Sequence, residues 1–333
     1  MTIGREITSA KNVPPPEHID DASAWTAETI SQDDWFFKLG HDALSEIREL
    51  AQYFDRTMIE IEAILPDDFQ IPACRQLMAE VKFATTKGPR FAVIDRLPLD
   101  DISESAASRV NWVLMSLIAR PVAQKLDETF VFPVRDTGKK FVPGSGVRPA
   151  TTNIEQNFHN DNCFNGLPPE FVTLTCIHPA ADGGGVSRLV SLTTAYNIIS
   201  KHHSHILPRL CQPFYFDRQL EHPEDEETTI SQPLFSFEDG LKVRLGASLV
   251  RAGYAVRNEP IDEEGQKALE VLTEVVEDPA LWFEDTLERG QIQIVNNRET
   301  GHARTRYVDA PDKPRRHLER LWLRNAGRRT YLG

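Results

Sequence analysis

The sequence contains no apolar run approaching the roughly 20 residues that a membrane-spanning helix needs. Its polar N-terminal stretch lacks the apolar segment of a secretory signal, and its four cysteines show neither CxxC spacing nor a disulfide framework. These absences predict a reduced, cytoplasmic protein with free thiols. Basic residues are also scarce, 37 against 50 acidic ones, and the formal net charge of −13 argues against nucleic acid or an anionic membrane as a partner.

The composition is that of an ordinary globular protein, with 40% hydrophobic and 26% charged residues in a chain of 333. No repeat or linker is visible, so we expect an N-terminal arm over residues 1–25 and a single domain over 26–333. The negative net charge leaves room for an anionic small molecule, because a basic pocket can lie inside an acidic shell. The sequence does not indicate whether the chain forms a homo-oligomer.

The order of predicted elements indicates the fold class. Residues 26–127 form a helix-rich flank, with helices expected at 41–53 and 72–84, a strand at 90–97, and a helix to about 119 opened by an apparent capping box at 101–104. Residues 128–324 carry short strand-like runs at 129–134, 158–164, 170–179, 186–192, 234–245, 291–298 and 315–324, interrupted by helices at 193–203 and 262–276. This order predicts a mainly β protein with flanking helices (α+β), whose core is a double-stranded β-helix (jelly roll).

One motif offers metal ligands. Residues two apart on a strand point the same way, so His159 and Asp161 in a strand-like segment supply two ligands together. Two histidines and one carboxylate on one side of the ion are typical of non-haem Fe(II) oxygenases. The motif is weak alone, because the chain holds three other His-x-acid pairs: His18/Asp20, His222/Glu224 and His317/Glu319.

The C-terminal segment distinguishes His159 from the histidines of the other three His-x-acid pairs. It supplies another histidine, His302, and an arginine, Arg316, placed 14 residues later. An enzyme that uses 2-oxoglutarate needs a fixed cation for the distal carboxylate, and arginine binds carboxylates with two parallel hydrogen bonds. We expect a turn at 309–314 and an antiparallel return strand that brings Arg316 back beside the metal.

Several segments of residues 128–324 resemble the taurine dioxygenase (TauD/TfdA) and clavaminate synthase-like family of Fe(II)/2-oxoglutarate-dependent oxygenases. They are, in order, FPVRD, FHNDN, PEFVTLTCIHPAADGGGVSRLVS and VNNRETGHARTRY followed by PRRHLERLWLR. The resemblance implies that His159, Asp161 and His302 bind the iron. It also implies that Arg316 and Ser187 bind the distal carboxylate of 2-oxoglutarate.

Further residues are candidates for the site. Arg320 matches a position that reaches the substrate in some members of the family, and Asn297 is expected to orient the metal-binding segment from behind. The run Gly183–Gly185 predicts a tight turn between strands and not a phosphate cradle. The remaining candidates for substrate contact are Arg135, Arg148 and Cys163, although Cys163 is favoured as a small hydrophobic core residue.

The resemblance implies an enzyme with Fe(II) as cofactor and 2-oxoglutarate and O2 as cosubstrates. Its expected reaction hydroxylates an unactivated C–H bond of a small molecule, an amino acid or a natural-product intermediate, and releases succinate and CO2. Desaturation or ring formation by the same oxidant stays open. So do a Zn or Mn hydrolase or isomerase and a non-catalytic jelly-roll metal-binding protein, but Arg316 and Ser187 favour the oxygenase, because 2-oxoglutarate requires them.

Overall fold

Two main β-sheets and a set of surrounding helices make up the computed structural model, which describes residues 15–142 and 146–332. Residues 1–14 of the predicted arm therefore lie outside the described residues. Within the described ranges, no helix has both the length and the apolar character that crossing a membrane would require.

The helices are α1 (Gln32–Trp35), α2 (His41–Arg56), α3 (Pro72–Thr86), α4 (Glu104–Ser116), α5 (Leu192–His202), α6 (Leu207–Leu210), α7 (Ala247–Arg257) and α8 (Glu263–Val276). The strands are β1 (Phe36–Phe37), β2 (Phe91–Ile94), β3 (Arg120–Val122), β4 (Phe132–Val134), β5 (Gln156–His159), β6 (Phe171–His178), β7 (Ser187–Ser191), β8 (Pro213–Asp217), β9 (Thr229–Pro233), β10 (Phe235–Ser236), β11 (Lys242–Val243), β12 (Phe283–Asp285), β13 (Ile292–Asn296), β14 (Thr300–Arg304) and β15 (His317–Arg324). Short 3₁₀ helices occur at Ile61–Ala63, Pro66–Asp68, Pro149–Thr151, Ser204–Ile206 and Pro279–Leu281.

The larger sheet has the strand order β1-β2-β13-β6-β15-β3, and β4 also pairs with β15. The smaller sheet has the order β12-β7-β14-β5, and two hairpins, β8–β9 and β10–β11, accompany it. Only the short β1–β2 pair is parallel among the described strands. The predicted α+β class is confirmed, with mixed sheets and helices.

Apolar residues at helical spacing explain where the helices pack. Helices α2, α3 and α4 bury Ile47, Val81 and Val110 in one cluster with Ile292 and Ile294 of the larger sheet. Helices α5 to α8 bury a second cluster against the smaller sheet and the hairpins. Each sheet is thus covered by its own group of helices.

Local details differ from the sequence predictions in three places. The capping box at Asp101 is wrong, because α4 begins at Glu104 and its N-terminal cap is Ser103, whose hydroxyl accepts the amide N–H of Ala106. The strand predicted at 158–164 ends at His159, and the chain turns at Asn162, whose φ is +53°. Helix α7 and the hairpin β8–β9 were not predicted.

The predicted pairing of the His302 and Arg316 strands is also wrong. Strand β14 belongs to the smaller sheet and pairs with β5 and β7, whereas β15 belongs to the larger sheet and pairs with β3, β4 and β6. The chain therefore crosses from one sheet to the other between the two residues. His159, Asp161, His302 and Arg316 nevertheless line one cavity, to which both sheets contribute side chains.

We predict that Glu319→Gln, on the face of β15 opposite that cavity, stabilises the protein at alkaline pH. Burial, together with the charge of Glu104, raises the pKa of Glu319 from 4.5 to about 7. Between pH 4.5 and about pH 7 the folded state therefore keeps a proton on Glu319 that the unfolded state releases. The free energy of unfolding falls as the pH rises through this window. Denaturant titrations at about pH 8 should show the variant about 2 kcal/mol more stable. At about pH 4 the two proteins should be equal, and a difference of the same size there would contradict this explanation.

Candidate metal centre

Two histidines and one aspartate meet at the end of the smaller sheet. His159, the last residue of β5, is the direct pairing partner of His302 on β14, and their ring centroids lie 4.3 Å apart. The Oδ1 atom of Asp161 lies 3.3 Å from Nε2 of His159 and 3.4 Å from Nε2 of His302. The three candidate ligand atoms lie within 4.8 Å of one another, close enough for one ion to bind all three.

Hydrogen bonds to the other side-chain atoms leave one candidate ligand atom free on His159 and one on Asp161. Nδ1 of His159 donates to the Asn157 carbonyl at 2.9 Å, which leaves the lone pair of Nε2 free for a metal. The Oδ2 atom of Asp161 accepts hydrogen bonds from Arg320 Nη1 at 2.9 Å and Trp322 Nε1 at 2.8 Å, which leaves Oδ1 for the same purpose. The chemistry of this donor set therefore fits a divalent transition metal.

One contact would have to give way to a metal. The side-chain amide nitrogen of Gln156 lies 2.9 Å from Nε2 of His159 and donates to its lone pair. A bound ion would replace this hydrogen bond, and the Gln156 side chain lines the cavity.

Side chains of two asparagines fix the turn that carries Asp161. Asn297 accepts the amide N–H of Asp161 and donates to its carbonyl, both at 2.8 Å. Asn160 accepts the Leu245 amide at 2.8 Å and donates to the Thr300 carbonyl at 3.0 Å. The placement of Asn297 matches the orienting role expected from the sequence, whereas Asn160 was not singled out.

The electrostatic environment keeps the carboxylate charged and one imidazole neutral. Burial alone would raise the pKa of Asp161, but the charge of Arg320 and the two neighbouring imidazoles outweigh it and hold this pKa well below its ordinary value. Burial, reinforced by the neighbouring His159, lowers the pKa of His302. A charged carboxylate and a neutral imidazole are the forms that bind metal.

Two aromatic residues that the sequence analysis missed lie behind the aspartate. Trp322 donates to Asp161 and stacks on Tyr331, with centroids 6.3 Å apart. The Tyr331 hydroxyl donates to Oε2 of Glu221 at 2.5 Å and lies 3.1 Å from Oδ1 of Asn162, next to the turn that carries Asp161. Strand alternation places Trp322 on the same face as Arg320 and could have found it, but no local pattern indicates Tyr331.

The cavity extends from the triad to Arg316 and Ser187, which line it from opposite sheets. Arg316 is 5% exposed, and its guanidinium carbon lies 4.9 Å from the centre of the Tyr307 ring. Its Nη1 has no hydrogen-bond partner among the described residues. A buried, unpaired guanidinium group next to a metal site can receive an anionic group.

The other predicted residues lie elsewhere, except Arg320, which lines the cavity while bound to Asp161. Arg135 is exposed on the surface. The Nε atom of Arg148 donates to Glu221 at 2.9 Å, and Cys163 is buried against Gly246, where burial raises the pKa of its thiol to about 12. Arg135, Arg148 and Cys163 are therefore not among the described residues that line the cavity.

The chain is similar in sequence to known proteins over most of its length. The family model described as "Taurine catabolism dioxygenase TauD, TfdA family" matches residues 46–322. FR-33289 synthase of Streptomyces rubellomurinus (strain ATCC 31215) is 24% identical, over 92% of this chain and 86% of its own. L-asparagine oxygenase of Streptomyces coelicolor (strain ATCC BAA-471 / A3(2) / M145) is 26% identical, over 74% of this chain and 75% of its own.

Solved structures share the fold. Asparagine oxygenase in complex with Fe(II), 2S,3S-3-hydroxyasparagine and succinate has 21% identity and a TM-score of 0.65, and the match covers 87% of this chain and 93% of that one. Non-heme iron oxygenase OrfP in complex with Fe, succinate and (3S)-hydroxy-L-Arg has 15% identity and a TM-score of 0.66, over 87% and 94% of the two chains.

We predict that Asn297→Ala weakens metal binding about 10- to 100-fold, because the backbone of Asp161 loses both of its hydrogen bonds to the Asn297 side chain. The matched control is Asn296→Ala, since the amide of Asn296 donates to the Thr85 carbonyl, away from the triad. Anaerobic titration with Fe(II) or Co(II) measures both affinities, and denaturation measures the stability lost in each variant. Equal losses of metal affinity would show that Asn297 acts only through general stability.

Proposed function

This chain belongs to the taurine catabolism dioxygenase TauD, TfdA family and is a non-haem Fe(II)/2-oxoglutarate-dependent oxygenase, and we propose that His159, Asp161 and His302 hold its iron. With 2-oxoglutarate and O2, the bound iron supplies the oxidising power to break an unactivated C–H bond, and succinate and CO2 are released. The observation that carries the assignment is one cavity lined both by the His-Asp-His group and by a buried arginine whose Nη1 has no hydrogen-bond partner among the described residues.

We propose that Arg316 binds the distal carboxylate of 2-oxoglutarate. Its guanidinium is buried and lacks an ion-pair partner among the described residues, whereas Arg320 is already bound to Asp161. Burial lowers the pKa of Arg316, but arginine stays protonated at neutral pH. A carboxylate at this position would therefore pair with a guanidinium that forms no ion pair with any described residue.

Because the iron supplies the oxidising chemistry, the other side chains of the cavity have to orient the substrate and exclude water. Arg320 and Trp322 donate to one oxygen of Asp161, so the other oxygen would be the one that holds the metal. Val134, Leu174 and Leu318 supply an apolar wall to the cavity. A dry, apolar wall holds a C–H bond near the metal and limits side reactions with solvent.

We propose hydroxylation of an amino acid or a natural-product intermediate as the reaction. Two observations support this choice, namely the relatives named for asparagine oxygenation and FR-33289 synthesis, and solved complexes of similar fold that hold hydroxylated amino acids. Gln156 lines the same cavity, and its amide would be free to bond a substrate once it no longer donates to His159.

We also propose that the two sheets form a jelly roll within a single oxygenase domain over residues 26–333. Eight strands support this interpretation, four from each sheet. In chain order, β4, β6, β13 and β15 lie in the larger sheet, and β5, β7, β12 and β14 lie in the smaller one. The chain thus passes back and forth between the sheets, as a double-stranded β-helix requires.

The proposed assignment is tested by adding Fe(II) and 2-oxoglutarate to the protein without oxygen. We expect a weak visible charge-transfer band, which should be absent from His302→Ala. Admitting oxygen together with the correct substrate should then yield succinate in proportion to hydroxylated product. Absence of the band, together with full activity when Zn replaces iron, would overturn the oxygenase assignment.

We predict that Gly185→Ala weakens 2-oxoglutarate binding at least about tenfold, because a Cβ there would lie 2.5 Å from Nε of Arg316 and displace it. Gly183→Ala is the matched control, since both glycines have positive φ (+75° and +70°), but a Cβ at Gly183 meets nothing within 4 Å. Both variants incur a similar left-handed backbone cost of roughly 1 kcal/mol. The band amplitude against 2-oxoglutarate concentration measures the effect, and equal affinities in the two variants would contradict the placement of Arg316.

A further inference from the structure

A buried glutamine lies between apolar partners in the larger sheet. Gln293 is at the centre of β13, where its pairing partners are Val93 on β2 and Leu174 on β6, and it is 2% exposed. Its Nε2 has no hydrogen-bond partner among the described residues, although the side chain lines the cavity. A buried amide donor without a partner is costly, so a ligand in the cavity is a natural acceptor for it.

The other end of the same amide engages Ser187. The serine hydroxyl donates to Oε1 of Gln293 at 2.9 Å. A hydroxyl has one hydrogen to donate, so while Ser187 makes this bond it cannot donate to a carboxylate. The bond also fixes the amide with its NH₂ group free for another acceptor.

Both residues line the same cavity as Arg316. A Cβ at Gly185, two residues before Ser187, would lie against the Arg316 guanidinium, so the segment that leads into β7 packs on the arginine. The hydrogen bond from Ser187 connects Gln293 to this segment.

Building on the function proposed above, we propose that Gln293 binds the distal carboxylate of 2-oxoglutarate beside Arg316, and that Ser187 acts as a positioning residue through Gln293. The amide Nε2 donates to one carboxylate oxygen, while the guanidinium donates to the other. Ser187 holds the amide in the orientation that points its NH₂ group at the ligand. This assigns the serine an indirect role in place of the direct carboxylate contact that the family resemblance implies.

The proposal predicts which cosubstrate analogues sense the glutamine. 2-Oxopentanoate has the same chain length as 2-oxoglutarate and the same metal-binding end, but it lacks the distal carboxylate. Loss of the Gln293 donor should therefore weaken 2-oxoglutarate and leave 2-oxopentanoate unaffected. A glutamine that merely supports the sheet would affect both compounds equally.

The experiment titrates the Fe(II)-loaded full-length protein with each compound under anaerobic conditions and follows the visible band. Gln293→Met keeps the volume and removes the amide, and we expect its Kd for 2-oxoglutarate to rise about tenfold or more, as for a lost hydrogen bond to a charged group. Gln293→Glu keeps the acceptor for Ser187 but replaces the donor by a negative charge, and should weaken binding further. Gln291→Met is the matched control, because Gln291 bonds the Glu288 amide outside the cavity.

A double-mutant cycle with Ser187→Ala separates the direct role from the indirect one. We expect Ser187→Ala to weaken 2-oxoglutarate a few-fold, and the double variant to equal Gln293→Met alone, because the serine acts through the glutamine. A larger effect of Ser187→Ala than of Gln293→Met, with additive losses, would overturn the proposal in favour of a direct serine contact. A wild-type band that Gln293→Met leaves unchanged overturns this inference alone, whereas a wild-type protein without any band overturns the proposed function.

Discussion

The buried charge of Asp161 is the constraint on which the rest of the site depends. A carboxylate inside a protein is costly unless it is paired and hydrogen-bonded, and here Arg320 and Trp322 supply both partners to one of its oxygens. This arrangement leaves the second oxygen directed at the two histidines. The side chain of Asn297 also bonds the backbone N–H and carbonyl of Asp161. Together these bonds fix the position of the carboxylate and leave one of its oxygens free.

The two sheets contribute different chemistry to the cavity. The smaller sheet and the turn after β5 supply the candidate ligands, while β13 and β15 of the larger sheet supply the glutamine and the arginines. The distance between the metal end and the cationic end is therefore set by how the sheets pack. A cosubstrate with a chelating end and a carboxylate end would contact both sheets at once.

Sequence patterns predicted the parts of the molecule that local physics determines. Amphipathic spacing indicated α2, α3, α5 and α8 because each buries one stripe of apolar residues, and the family predicted from four segments is confirmed. The pairing of residues and strands that are far apart in the chain could not be predicted from these local patterns. The end of β5 at His159 depends on side-chain bonds from Asn297, 136 residues away from the turn, and the placement of β14 and β15 in different sheets depends on partners that no local pattern names. For the same reason Tyr331 could not be predicted.

The wide sequence separation of these supports has a consequence for the order of folding. Asp161 takes its partners from positions 136, 159 and 161 residues further along the chain, so we expect the loops that bring them together to close after most of the sheet pairing has formed. The proposed iron site would then form only in a nearly complete tertiary structure, since an ion present early in folding would find one histidine and an unsupported carboxylate. Iron loading would in this sense be a final maturation step of the folded chain and not a nucleus for its folding.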